Sequence, residues 1–308
     1  MMGKKTCFLL FSAILCNWLF SIDTKTSLSF TDFDILFTQK DIKYVQKIAP
    51  ILSDGIDDFQ RQLGQYPDFK ITIKIAADNR EYHEFTSGSN GIIEFSEAFY
   101  SSRNKTIYLR NPAELKNFTN LYRILLHEYI HAFIDHYWQD APLWFHEGMA
   151  VFFSNDLSLD REFNFIKNYL LGNSRKLIEM ERNYPENRIE WESFYAKAGM
   201  AVKYLFQNRR ADFFRFWDDA FPHRNFKISF QRIFLMSPSG YSLLFEDYSR
   251  THFRMEILLA STGIIWSIFP LILIIGWIRK KIVNRRIIGQ WQEEDTKQTA
   301  GENEDERI

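Results

Sequence analysis

The stretch that constrains this chain most is His127-Glu128-Tyr129-Ile130-His131. Two histidines four residues apart lie on one face of an α-helix, one turn from each other, close enough to share a cation. Glu128 is rotated by one residue from that face, within reach of a water on such a cation without being a ligand. The surrounding residues predict the helix this requires. Leu121, Ile124, Leu125, Ile130, Ala132 and Phe133 supply apolar positions, and neither Gly nor Pro interrupts residues 121–138.

A catalytic metal needs a third protein ligand and one open position. Glu147 is the best-placed candidate. Asp140 as a cap and Pro142 in the first turn predict a second helix that runs through Trp144 to Phe153. The short link of residues 139–141 makes the two helices antiparallel neighbours, and the small Gly148 and Ala150 would let them approach closely. His136 and His146 are expected to point elsewhere, as surface or packing residues. The only cysteines, Cys7 and Cys16, lie in the N-terminal apolar stretch. The rest of the chain therefore has no thiolate to offer a metal, and His127, His131 and Glu147 are the expected set for Zn2+.

The two segments together resemble the gluzincin peptidases. His127-Glu128-Tyr129-Ile130-His131 followed by Pro142-Leu143-Trp144-Phe145-His146-Glu147-Gly148-Met149-Ala150 is most similar to their peptidase MA-like group, whose second motif reads roughly Pro-x-Trp-x-x-Glu-Gly-x-Ala. The resemblance implies that His127, His131 and Glu147 hold zinc and that Glu128 is the general base. It also implies a Tyr-led helix further on, which Phe194-Tyr195-Ala196-Lys197-Ala198-Gly199-Met200-Ala201 matches, with Tyr195 as a donor to the oxyanion. Substrate would lie as an added strand on a sheet edge, with residues 92–95 or 106–109 as the candidate edge. One position departs from the pattern. Many gluzincins carry an acidic residue four places after the ligand Glu, and here that place is Val151. Asp135, one turn after His131, is the candidate substitute.

A chain of 308 residues is long enough for one or two domains with a proper core. Its net charge of −1 gives no argument for a nucleic-acid partner. Lys4 and Lys5 precede an apolar stretch, residues 6–20, that reads as a signal peptide ending near Ser21. An uncleaved anchor or a lipoprotein signal at Cys16 are the alternatives. Residues 22–110 read as the N-terminal α/β part. A helix over 40–63 carries Ile42, Val45, Ile48, Leu52, Ile56 and Phe59 at helical spacing, with Pro50 able to kink it. A strand over 69–76 alternates through Ile71, Ile73 and Ile75. A short helix over 80–85, a turn over 87–91 and strands over 92–95 and 106–110 complete that part. Residues 111–255 read as helical, with further helices over 163–171 and 192–206 and an aromatic-rich packing segment over 213–221. The expected fold is α+β: a small, mostly antiparallel sheet, then a zincin-like helical half, with the active-site cleft between them.

Residues 257–278 carry no charge, and Arg279, Lys280, Lys281, Arg285 and Arg286 follow at once. That pattern predicts one transmembrane helix over 256–278, with a cytoplasmic tail over 279–308 that is disordered where it turns acidic. Residues 22–255 would then face an extracytoplasmic space. The expected function is a membrane-anchored zinc metallopeptidase acting on peptides or proteins. A catalytically inactive zinc-binding, peptide-binding scaffold at the membrane is the main alternative. A third reading is a membrane protein whose outer domain mainly assembles with partners. The intact Glu128 favours the enzyme, because a non-catalytic site has no need of a base.

Overall fold

The computed structural model describes residues 25–87, 96–115, 120–170, 172, 174–220 and 225–305. The expected signal segment, the turn over 87–91 past Ser87 and the strand over 92–95 lie outside them. The chain divides into two compact units, residues 1–247 and 248–308.

The first unit opens with a five-stranded sheet in the order β1-β2-β3-β5-β4. The strands are β1 (Lys25–Ser29), β2 (Phe33–Thr38), β3 (Ile71–Ile75), β4 (Ala98–Ser101) and β5 (Thr106–Leu109). Alternation makes β3: Ile71, Ile73 and Ile75 are buried, while Thr72 and Lys74 between them are partly open. The sheet is mixed, which corrects the expectation of a mostly antiparallel one. β1–β2 and β4–β5 are antiparallel, but β2–β3 and β3–β5 are parallel. The reason is connectivity. Helix α1 (Ile42–Leu63) lies between β2 and β3, and helix α2 (Asn79–Thr86) between β3 and β4. A helical crossover returns the chain in the same direction, so it produces parallel neighbours. The expected edge strand over 106–109 is interior for the same reason, and among the described residues the edges are β1 and β4.

Helix α1 buries Val45, Ile48, Leu52, Ile56, Phe59 and Leu63, a stripe at helical spacing. Pro50 sits inside it on the exposed side and does not split it. Gly64, with φ of 69°, closes it in the left-handed conformation that glycine adopts without strain. The stripe packs on α3 (Leu121–Tyr137), where Phe59 meets Phe133 edge-on at 4.9 Å. The Gln60 amide donates to both Asp32 and Tyr129, each at 2.8 Å, and this buried bridge ties α1 to α3 and to the turn before β2.

The helical half continues with α4 (Leu143–Phe153), α5 (Leu159–Leu170), α6 (Arg188–Asn208), α7 (Arg210–Asp218) and α8 (Phe226–Phe234). Helix α4 is apolar nearly all round, as befits a central helix. Its start differs from expectation. Asp140 does not cap it; that carboxylate accepts the Phe226 amide at 2.9 Å, and the Leu143 amide finds the Glu181 carbonyl at 2.8 Å. Much of the aromatic content gathers here. Trp138 stacks on Phe216 at 4.1 Å and meets Trp217 at 4.5 Å, and Phe145 meets Phe226 at 4.8 Å. Gly148 does not face α3, as its size suggested, but α6. A Cβ there would collide with the Ala198 carbonyl oxygen and come within 2.6 Å of Val202.

The last helix, α9 (Pro238–Asp305), begins in the first unit and makes up most of the second. It corrects the transmembrane helix over 256–278, and with it the single-pass, extracytoplasmic localisation. Among the described residues no helix is long and apolar enough to cross a membrane. The side chains of 254–267 lie outside those described. The acidic tail also differs from expectation, since its backbone is helical to Asp305.

Replacing Gly148 with Ala is expected to destabilise the fold by about 1–3 kcal/mol, because a backbone carbonyl cannot yield as a side-chain tip can. A urea titration comparing the two midpoints checks this.

Candidate metal centre

Helix α3 presents His127 and His131 to a cleft, and α4 brings Glu147 to meet them. Glu147 Oε2 lies 3.4 Å from His127 Nε2 and 3.7 Å from His131 Nε2. The three side chains form a group whose ligand atoms all lie within 4.8 Å of one another. The imidazoles are 17% and 16% exposed and the carboxylate 2%, so the ligand atoms converge at the floor of the cleft rather than on the surface.

Whether these residues suit a divalent cation can be judged from Glu147 alone. Its Oε1 accepts the Tyr184 hydroxyl. Its Oε2 is buried without a hydrogen-bond partner, although it faces two imidazole nitrogens. An unpaired buried carboxylate oxygen is costly unless a positive charge meets it. Two imidazoles and one carboxylate are an ordinary donor set for zinc and leave a fourth position open. The residues fit.

The electrostatics point the same way. Burial alone would raise the Glu147 carboxyl, but His131, His127 and the Tyr184 hydroxyl outweigh it and hold it at about 2. Burial would lower His127, yet the nearby Glu147 carboxylate raises it above its ordinary value. Burial drives His131 down to about 3 despite the same carboxylate. Glu147 thus stays ionised and draws positive charge toward the pair.

Glu128 stands one residue from His127 and lines the same cleft. Its Oε2 accepts the backbone amide of Tyr100, on edge strand β4, at 2.8 Å. Burial lifts its carboxyl to about 7, against the pull of His127 and of that amide. The cleft has a volume of about 740 Å³. β4 forms one wall, and side chains of α3, α4 and α6 form the rest, together with Tyr184 from the segment before α6. Past Glu128 it adjoins a smaller cavity of about 340 Å³, which Arg123 and Arg161 help to line. Arg161 is held there by Asp156 and by Glu192 at 2.8 Å.

The structure brings together all five residues singled out from the sequence. Tyr195, on α6, lines both cavities, with its ring 6.5 Å from that of His127. Burial keeps its hydroxyl protonated, so it is a donor. Three further residues escaped sequence reasoning. His146, expected on the surface or in packing, lines the cleft with its ring 5.8 Å from that of His131. Tyr184 sits in what reads as a loop, where no periodicity marks it; it stacks on Trp191 at 5.4 Å. Tyr100 belongs to a strand too short for alternation to show. Val151, where an acidic residue was looked for, is buried against Gly199 of α6. Tyr184 holds a different ligand, the Glu147 carboxylate. Asp135, the candidate substitute, accepts the Tyr100 hydroxyl at 3.1 Å.

No protein-family model matches this chain, and no curated protein matches it.

Tyr184→Phe is expected to weaken metal binding by about 10–100-fold while leaving the fold intact, the usual range for losing a hydrogen bond that orients a ligand. Competition against a chelator of known affinity measures it. An unchanged affinity would show that Glu147 is held by packing alone.

Proposed function

We propose that this chain is a zinc metallopeptidase of gluzincin type, hydrolysing peptide bonds with Glu128 as general base. One observation carries the reading. The partnerless Oε2 of Glu147 faces His127 and His131, and a second carboxylate, Glu128, lies beside them on the floor of an open cleft. His127, His131 and Glu147 would hold the ion. Zinc so held supplies a Lewis acid that polarises a carbonyl and lowers the pKa of water to about 7.

The chain's own groups do the rest. Glu128 takes a proton from the attacking water and delivers it to the leaving amine. Its Oε2 is already engaged by the Tyr100 amide, so the other oxygen is the one that exchanges the proton. Tyr195, a protonated phenol on the cleft wall, donates to the carbonyl oxygen as charge builds there. Tyr184 keeps the Glu147 carboxylate turned toward the histidines.

The substrate is a peptide or protein segment. β4 is an edge strand along the cleft. The Arg110 amide bonds the Glu97 carbonyl at 2.9 Å, so odd-numbered residues turn their backbone groups to β5. Ala98 and Tyr100 turn theirs away from it; Glu128 takes the Tyr100 amide, and the Ala98 amide and Tyr100 carbonyl face the side where an extended peptide can lie as an added strand.

Glu128→Gln is expected to keep bound zinc and the fold while slowing hydrolysis by about 10²–10⁴-fold, the usual contribution of a positioned acid–base group. Zinc content and turnover of a mixed peptide pool are measured on both proteins. Equal proteolysis by the two would remove the mechanism. Stoichiometric zinc with no proteolysis by either would leave a peptide-binding scaffold.

A further inference from the structure

We propose that Tyr100 is a positioning residue that clasps edge strand β4 to helix α3 at two points and so sets the aim of the Glu128 carboxylate. The inference rests on the peptidase reading for its effect on turnover, but the clasp itself does not.

The two points come from one residue. The Tyr100 backbone amide donates to Glu128 Oε2 at 2.8 Å, and its hydroxyl donates to Asp135 Oδ2 at 3.1 Å. Glu128 and Asp135 are seven residues apart on α3, hence two turns apart on one face and about 10 Å along the axis. A single tyrosine therefore spans two turns of the helix that carries both histidines.

Strand alternation puts it there. Phe99 points to the opposite face of the sheet, where it meets Tyr108 at 5.1 Å and Tyr82 at 6.0 Å. Tyr100 consequently points into the cleft. Among the described residues β4 has a strand neighbour on one side only, β5. On its other side the amide that would continue a ladder is spent on Glu128. A four-residue edge strand held on one side is a loose platform for a base that must be placed to within a fraction of an ångström. The hydroxyl bond to Asp135 fixes the strand's distance from α3, and the amide then fixes the carboxylate. Burial and the nearby Asp135 charge keep the phenol protonated, so it remains a donor throughout the working pH range.

The test compares full-length Tyr100→Phe, Asp135→Ala and Asp135→Asn with wild type. Phe keeps the ring and loses the donor. Ala loses the acceptor, whereas Asn keeps an oxygen that accepts. Amide hydrogen exchange over residues 98–101 is expected to quicken by about tenfold in Tyr100→Phe and Asp135→Ala, and to stay near wild type in Asp135→Asn. Zinc content should not change in any of them. With a mixed peptide pool that the wild type cleaves, kcat is expected to fall about tenfold in the first two, with KM moving far less, and to be rescued in Asp135→Asn. The double variant Tyr100→Phe/Asp135→Ala should be no worse than either single one, since both remove one bond. Unchanged exchange in Tyr100→Phe would overturn the clasp, as would an Asp135→Asn protein as impaired as Asp135→Ala. Faster exchange with undiminished kcat would overturn the positioning role. If exchange shifts as expected while wild type cleaves no peptide, the clasp stands and the peptidase reading falls.

Discussion

A carboxylate with 2% of its surface exposed, facing two imidazoles, is the constraint around which the first unit is arranged. Burying Glu147 is unfavourable unless each of its oxygens is met. Tyr184 meets one, and the histidines converge on the other. Meeting them takes four pieces of chain: α3 for the histidines, α4 for the carboxylate, the segment before α6 for the phenol, and α6 itself to hold α4 in place. Relaxing any one of them would leave a charge in the interior without its partner, which is why the site and the helical core are one structural problem.

The sheet contributes less mass and as much control. Its crossover helix α1 braces the back of α3 through Phe59 and the Gln60 bridge, so the helix bearing the histidines is fixed from behind. Its edge strand β4 fixes the same helix from the front through Glu128 and Asp135. Helix α3 is thus gripped on opposite sides by the two ends of one topology. That explains how a helix with a partly open face toward the cleft can still hold its side chains in register.

The sequence reveals what depends on spacing within a single element. The buried stripe of α1, the alternation of β3 and the one-face pairing of His127 with His131 are such features, and each lies where periodicity puts it. What stays hidden depends on a partner far along the chain. Parallel pairing of β2 with β3 follows from where α1 packs, not from the strands themselves. Gly148 reads as a small residue, but only α6 explains why it must be small. Tyr184 carries no pattern because it has no periodic element around it. The uncharged stretch over 257–278 misleads for the opposite reason. Composition alone looks like a membrane span, whereas among the described residues no helix is long and apolar enough to cross one.

The glycines of α4 and α6 have a mechanical consequence. Gly148 makes room for the Ala198 carbonyl and Val202, and Gly199 makes room for Val151 and Leu157. Notches cut into both helices act like a mortise: sliding one past the other by even a single turn would drive a bulky group into the spot where a glycine must be. The axial placement of Glu147 is therefore dictated by interlocking surfaces rather than by the length of the connecting segment. Insertions or deletions at an exposed turn such as the one at Gly172 can be absorbed without shifting the carboxylate, which leaves that stretch open to diversification while the centre stays put.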